Sequence, residues 1–107
     1  MNSNKTSHRW TGGAWLDYFS ATWPLATLEL KKNYLSLDVA FQRKFEFTPK
    51  QVKVIRRYGF ITILAQGIKI EHLVSGRSKT VIFWYMGLDL KKLLKPIKNN
   101  GFKVQGI

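Results

Sequence analysis

The sequence predicts a mainly β fold, a seven-stranded antiparallel barrel or sandwich capped by one C-terminal α-helix. Three observations carry this. Tyr34 to Phe41 alternates strictly, with Leu35, Leu37, Val39 and Phe41 on one parity and Ser36, Asp38 and Ala40 on the other. That is the period of a half-buried antiparallel strand. Other short β-like runs surround it at nearly regular spacing, divided by Gly, Pro and Asn. Near the end the period changes: Leu90, Leu93, Leu94 and Ile97 fall at i, i+3, i+4 and i+7, one stripe of a helix.

The elements follow in order. With 107 residues the chain is long enough for one domain and one modest core. Residues 1–13 are polar and end in Gly12-Gly13, which reads as a loose arm, leaving 14–107 as the folded domain. Ala14 to Pro24 is rich in aromatics without a clear period. The first strand runs from Leu25 to Lys31, with Leu28 and Leu30 facing inward. Lys31-Lys32-Asn33 turns the chain into the strand from Tyr34 to Phe41, and Arg43 to Phe47 repeats the alternation with Phe45 and Phe47. Thr48 to Gln51 reads as a single turn around Pro49, which lacks the N–H of a central ladder. Val52 to Tyr58, Phe60 to Ala65 and Ile68 to Val74 are three more strands, divided by Gly59 and Gly67. Ser75 to Ser78 is a hairpin loop by composition. The seventh strand, Thr80 to Met86, is apolar on both parities and calls for cover on both faces. Asp89 suits the start of the helix, and Asn99-Asn100-Gly101 supplies a left-handed stop. Pro96 sits inside the helical stripe, so the helix either bends there or is shorter than the stripe.

Eighteen Lys and Arg against six Asp and Glu give a net charge of +12. Such a balance favours anionic partners, whether nucleic acid or a membrane surface. There is no cysteine, so disulfides, thiolate metal sites and thiol nucleophiles are excluded. The longest stretches free of charge, Tyr18 to Leu28 and Tyr58 to Ile68, are shorter than a spanning helix of about 20 residues. MNSNKTSHRWTGG has no apolar h-region. A cytoplasmic protein is the expectation, with peripheral contact at the inner membrane left open.

Two histidines, His8 and His72, are the candidate ligands or bases. His72 shares parity with Ile68 and Ile70, which suits a hydrogen-bonded place in the barrel wall or rim. Glu29, Asp38, Glu46 and Glu71 lie on polar parities, and no spacing pairs them for acid–base work. No phosphate loop or nucleophile elbow occurs. The residues therefore point to no enzyme, no metal and no cofactor. The basic residues form two candidate anionic-surface groups. Lys91, Lys92, Lys95 and Lys98 make the face of the helix opposite the leucines. Lys31, Lys32, Arg43, Lys44, Arg56, Arg57, Arg77 and Lys79 lie mostly in loops and at strand ends.

The segments SATWPLATLEL, FEFTPKQVKVI, GIKIEH, VIFW and LLKPIKNNGF, within residues 20–104, resemble small bacterial domains of the pleckstrin-homology (PH) superfold, related to GRAM-type domains. That resemblance implies seven strands and a C-terminal helix in a non-enzymatic binding module, with a protein or an anionic membrane surface as partner. It also implies head-group contacts from Lys and Arg near Lys31 and Lys32. The chain departs from the family's phosphoinositide pattern, since Phe41 stands where a basic residue is needed before Arg43 and Lys44. No Trp lies between Asp89 and Asn99, so specific phosphoinositide recognition is not carried over. Nucleic-acid binding by a basic β-barrel is the alternative. The doubly apolar strand, with Trp84 and Met86 on its second parity, is a candidate contact face that leaves a homodimer open.

Overall fold

The computed structural model describes residues 8–17, 20–40, 43–62, 65–76, 78–86 and 90–105. Eight strands form one sheet: β1 (His8–Leu16), β2 (Ser20–Lys31), β3 (Tyr34–Val39), β4 (Arg43–Phe47), β5 (Val52–Thr62), β6 (Ala65–His72), β7 (Val81–Met86) and β8 (Val104–Gln105). One helix, α1 (Lys91–Asn99), stands between β7 and β8. The order across the sheet is β4-β3-β2-β1-β7-β6-β5-β8. All pairings are antiparallel except the two-residue β5–β8 contact. The strongly curled sheet is a half-barrel rather than the closed barrel the pattern suggests. Its edges are β4 and β8, which are short, and β4 carries Lys44 and Glu46, features that discourage edge-to-edge pairing.

Strand parity is as the alternation requires. Leu28, Leu30, Leu35, Leu37, Val39, Phe45 and Phe47 are buried on the concave side. Leu90, Leu93, Leu94 and Ile97 join the same core, so the apolar stripe of α1 fills the hollow while Lys91, Lys92, Lys95 and Lys98 stay exposed. The helix continues through Pro96 to Asn99. It ends in a Schellman geometry: Gly101, at φ +95°, donates its N–H to Lys98, and Phe102 donates to Ile97 and is itself buried.

Three expectations change. The arm assigned to residues 1–13 is strand from His8 onward, paired with β2 from His8 and also with β7 from Gly12. Val52–Tyr58 and Phe60–Ala65 are not separate strands. One strand, β5, runs through Gly59 with irregular register, and the next hairpin partner begins at Ala65. The two glycines taken as dividers, Gly59 and Gly67, instead face each other in mid-sheet, and Gly67 is paired on its other side with Trp84. They lie within paired strands rather than at turns. With β1 gained, β5 fused and β8 added, the strand count becomes eight.

The start of β7 is pinned to the end of β1 by Asp17. Its carboxylate accepts the backbone N–H groups of Lys79 and Thr80, both at 2.8 Å, and its own N–H donates to Ser78 Oγ at 2.8 Å. The Lys79 N–H first, then that of Thr80, holds the Asp17 carboxyl below its ordinary value of 3.8. A folded-state value below the unfolded one stabilises the fold fully above the ordinary carboxylate range, and that stabilisation disappears as pH falls through the folded value. In urea titrations Asp17→Asn is therefore less stable than wild type at neutral pH, and the difference closes as pH falls through the lowered folded-state value of Asp17.

Candidate anionic-surface interface

The outer surface of the sheet divides into two halves of different charge. Over β1–β4, Arg9 meets Glu29 at 3.3 Å and Lys44 meets Glu46 at 3.9 Å. Asp38 joins Arg9, Glu29 and Lys44 around a small polar pocket of about 190 Å³. Three carboxylates, Glu29, Asp38 and Glu46, thus stand against three cations, Arg9, Lys31 and Lys44, among the described side chains of these four strands. Arg43 pairs with Val39 in β4, and its side chain lies outside the described set, as does Arg77 altogether.

Over β5–β7 the balance reverses. Pairing Arg56 with Lys69, and Lys69 with Ile82, aligns the outward positions of three strands. Lys53, Lys69 and Lys79 line an open groove of about 390 Å³ with Glu71, His72 and Leu73. Arg56 Nε holds Glu71 at 3.0 Å, so the carboxylate in this groove is already compensated. Arg57 is exposed on the same strand. Lys53 and Lys69 were not among the cations marked by loops and strand ends. Their signal was present for Lys69, which alternates with Ile68 and Ile70.

Further cations gather where the helix ends. A Cβ on Gly101 would stand 3.5 Å from Pro49 Cγ and 3.7 Å from Asn33 Oδ1, so the β2–β3 turn and the Pro49–Gln51 turn reach the C-terminus of α1. Lys31, Lys32, Lys50, Lys98 and Lys103 all lie on these segments and are exposed. Lys98 and Lys103 border an open groove of about 600 Å³ whose walls include Val54, Phe102 and Val104. The twelve cations marked in the sequence therefore do not act as one set. Lys44 belongs to the mixed half and Arg56 is tied to Glu71. Lys31, Lys32, Lys79 and the helical lysines are joined by Lys50, Lys53, Lys69 and Lys103.

Aromatic side chains cover β7 on the outside. Trp15, paired with Ile82, meets Tyr58 edge-to-face at 5.9 Å, and Ile82 between them is only 3% exposed. The indole of Trp84 lies across Gly13, where a Cβ would overlap its ring and stand 2.7 Å from the Ala21 carbonyl oxygen. Trp84 Nε1 is buried and has no acceptor among the described residues. Trp10 packs against the core instead, and Tyr18 lies outside the described residues.

His72 is occupied structurally. Its Nε2–H donates to the Ser78 carbonyl at 2.7 Å and Nδ1 accepts the Val74 N–H at 3.1 Å, which fixes the neutral tautomer and the turn before β7. Among the described residues no three His, Asp or Glu side chains group as metal ligands, and no helix is long and apolar enough to cross a membrane. No protein-family model matches the chain, and no curated protein matches it either.

Proposed function

We propose that this chain is a PH-like, non-enzymatic binding module that docks on an anionic membrane surface. The carrying observation is the segregation of charge: carboxylates offset cations over β1–β4, whereas Lys53, Lys69 and Lys79 open onto a groove whose Glu71 is already paired. A juxtamembrane cation is worth about 1 kcal/mol at an anionic leaflet, and screening removes most of that beyond a Debye length of about 8 Å. Lysines suit this role, being strongly hydrated point charges that need no fixed geometry. The curled sheet followed by a helix in its hollow supports the PH-like reading, as do the sequence segments that resemble that family. The cytoplasmic face of the inner membrane is the site this reading implies.

Co-sedimentation with vesicles over a salt series tests it. Binding to phosphatidylserine-containing vesicles, falling with salt and absent on phosphatidylcholine alone, is expected. Equal, steeply salt-dependent binding to oligonucleotides would favour the nucleic-acid alternative. Binding to neither would leave a protein partner.

A further inference from the structure

We infer that His72 is a proton-operated switch, setting the shape and charge of the groove that Lys53, Lys69 and Lys79 line. The groove's ligand rests on the membrane reading above, whereas the switch itself lies in the turn between β6 and β7. The two ring nitrogens have partners of opposite polarity. The Ser78 carbonyl, at 2.7 Å, can only accept, so Nε2 carries the proton. The Val74 N–H, at 3.1 Å, can only donate, so Nδ1 is bare. An imidazolium has a proton on both nitrogens and no lone pair for Val74 in either orientation of the ring. The charged form therefore keeps the bond to Ser78 and loses the one to Val74.

The turn is built to answer locally. Its two ends are held independently of His72. The Leu73 N–H donates to the Gln51 carbonyl at 2.8 Å, and Asp17 accepts the N–H groups of Lys79 and Thr80. Between these anchors Gly76 sits at φ +79°, with nothing within 4 Å of where a Cβ would stand. Val74, half-buried, packs against the edge of the core. Rearrangement is thus confined to the stretch between the anchors, which forms one end of the groove.

Among the described residues, the charged groups around the ring are Lys53, Lys69 and Lys79, with Glu71 held by Arg56 at 3.0 Å. Asp17 stands behind Ser78, to whose Oγ it donates its N–H. From β4 the apolar Phe47 ring lies against the imidazole at 5.1 Å. Protonation adds a fourth cation beside the three lysines, and an anionic surface at the groove favours that form. Proton uptake and anion binding are coupled in the same direction, so acid strengthens docking.

Amide NMR of the wild-type chain, from about pH 7.5 to about pH 5, crosses the ordinary histidine range and tests this. The Val74 amide is expected to shift together with the His72 ring protons. His8→Gln leaves that change in place and His72→Gln removes it. Partition onto phosphatidylglycerol-containing vesicles, whose charge is constant over this range, tightens about fivefold in wild type and stays flat in His72→Gln. A Val74 amide that does not follow the ring would overturn the switch. Coupled shifts without any change in partition would overturn its control of the groove. No partition at any pH would overturn the membrane reading and that control with it. The spectra, recorded on the wild-type chain without vesicles, would still decide the switch.

Discussion

Gly12→Ala unfolds at markedly lower urea concentration than wild type, with a loss of about 3 kcal/mol or more. Gly12 lies between two partners, paired with Ala26 of β2 and with Tyr85 of β7. A Cβ there would overlap the Trp84 carbonyl oxygen and stand 3.0 Å from Phe83 Cζ. The carbonyl belongs to a paired backbone and cannot rotate away as a side chain would. The strand must therefore shift, breaking the junction between β1 and β7 that joins the two halves of the sheet. Gly76 provides the contrast. It sits at φ +79° with open space around it, so Gly76→Ala adds only left-handed strain of about 1–2 kcal/mol. If Gly12→Ala proved no worse than Gly76→Ala, the close approach of β1 and β7 would be wrong.

Leu94→Ala has a comparable expected cost, about 2–5 kcal/mol, read from the same urea titrations. Leu93, Leu94 and Ile97 are fully buried, and α1 contributes little else to the fold than this one face. The helix has only nine residues, no side-chain cap at its start and a proline at its sixth position. A helix so short is marginal on its own, so packing into the hollow of the sheet is what holds it. Truncating Leu94 leaves a cavity between helix and sheet. Lys95→Ala, on the exposed side of the same helix, is expected to change stability by about 0.5 kcal/mol or less.

Much of this fold could be read from alternation, and the parts that could not share a cause. In β2, β3 and β4 the buried positions Leu28, Leu30, Leu35, Leu37, Phe45 and Phe47 repeat every second residue, because one face meets the core and the other meets water. The Leu90 to Ile97 stripe is legible for the same reason. The strand β1 was not, since HRWTGG shows no alternation and its glycines look like a linker. Gly12 and Gly13 are required by the backbone and indole of Trp84, some seventy residues further along the chain. Gly59 and Gly67 likewise punctuate the text but face each other inside the sheet. Ser36 shows the limit of parity itself, being buried although it alternates with the leucines.

The candidate interface was legible only as a list of cations. Which of them stand open depends on partners distant in sequence, Arg9 with Glu29 and Arg56 with Glu71, and on the register that sets Lys69 between Arg56 and Ile82. Counting charges gives the sign of the partner. Pairing them shows which half of the sheet carries the excess of cations.

Neutralising each half separately measures that assignment most directly. Two variants, Lys53→Gln/Lys69→Gln/Lys79→Gln and Arg9→Gln/Lys44→Gln, are compared with wild type for partition onto phosphatidylserine-containing vesicles at low salt. At about 1 kcal/mol per charge, the triple variant loses about a hundredfold in partition and has a shallower salt dependence. The double variant, whose cations are already balanced by Glu29, Glu46 and Asp38, changes by about threefold or less. Losses set only by the number of charges removed, with both halves equivalent per cation, would contradict a segregated docking surface.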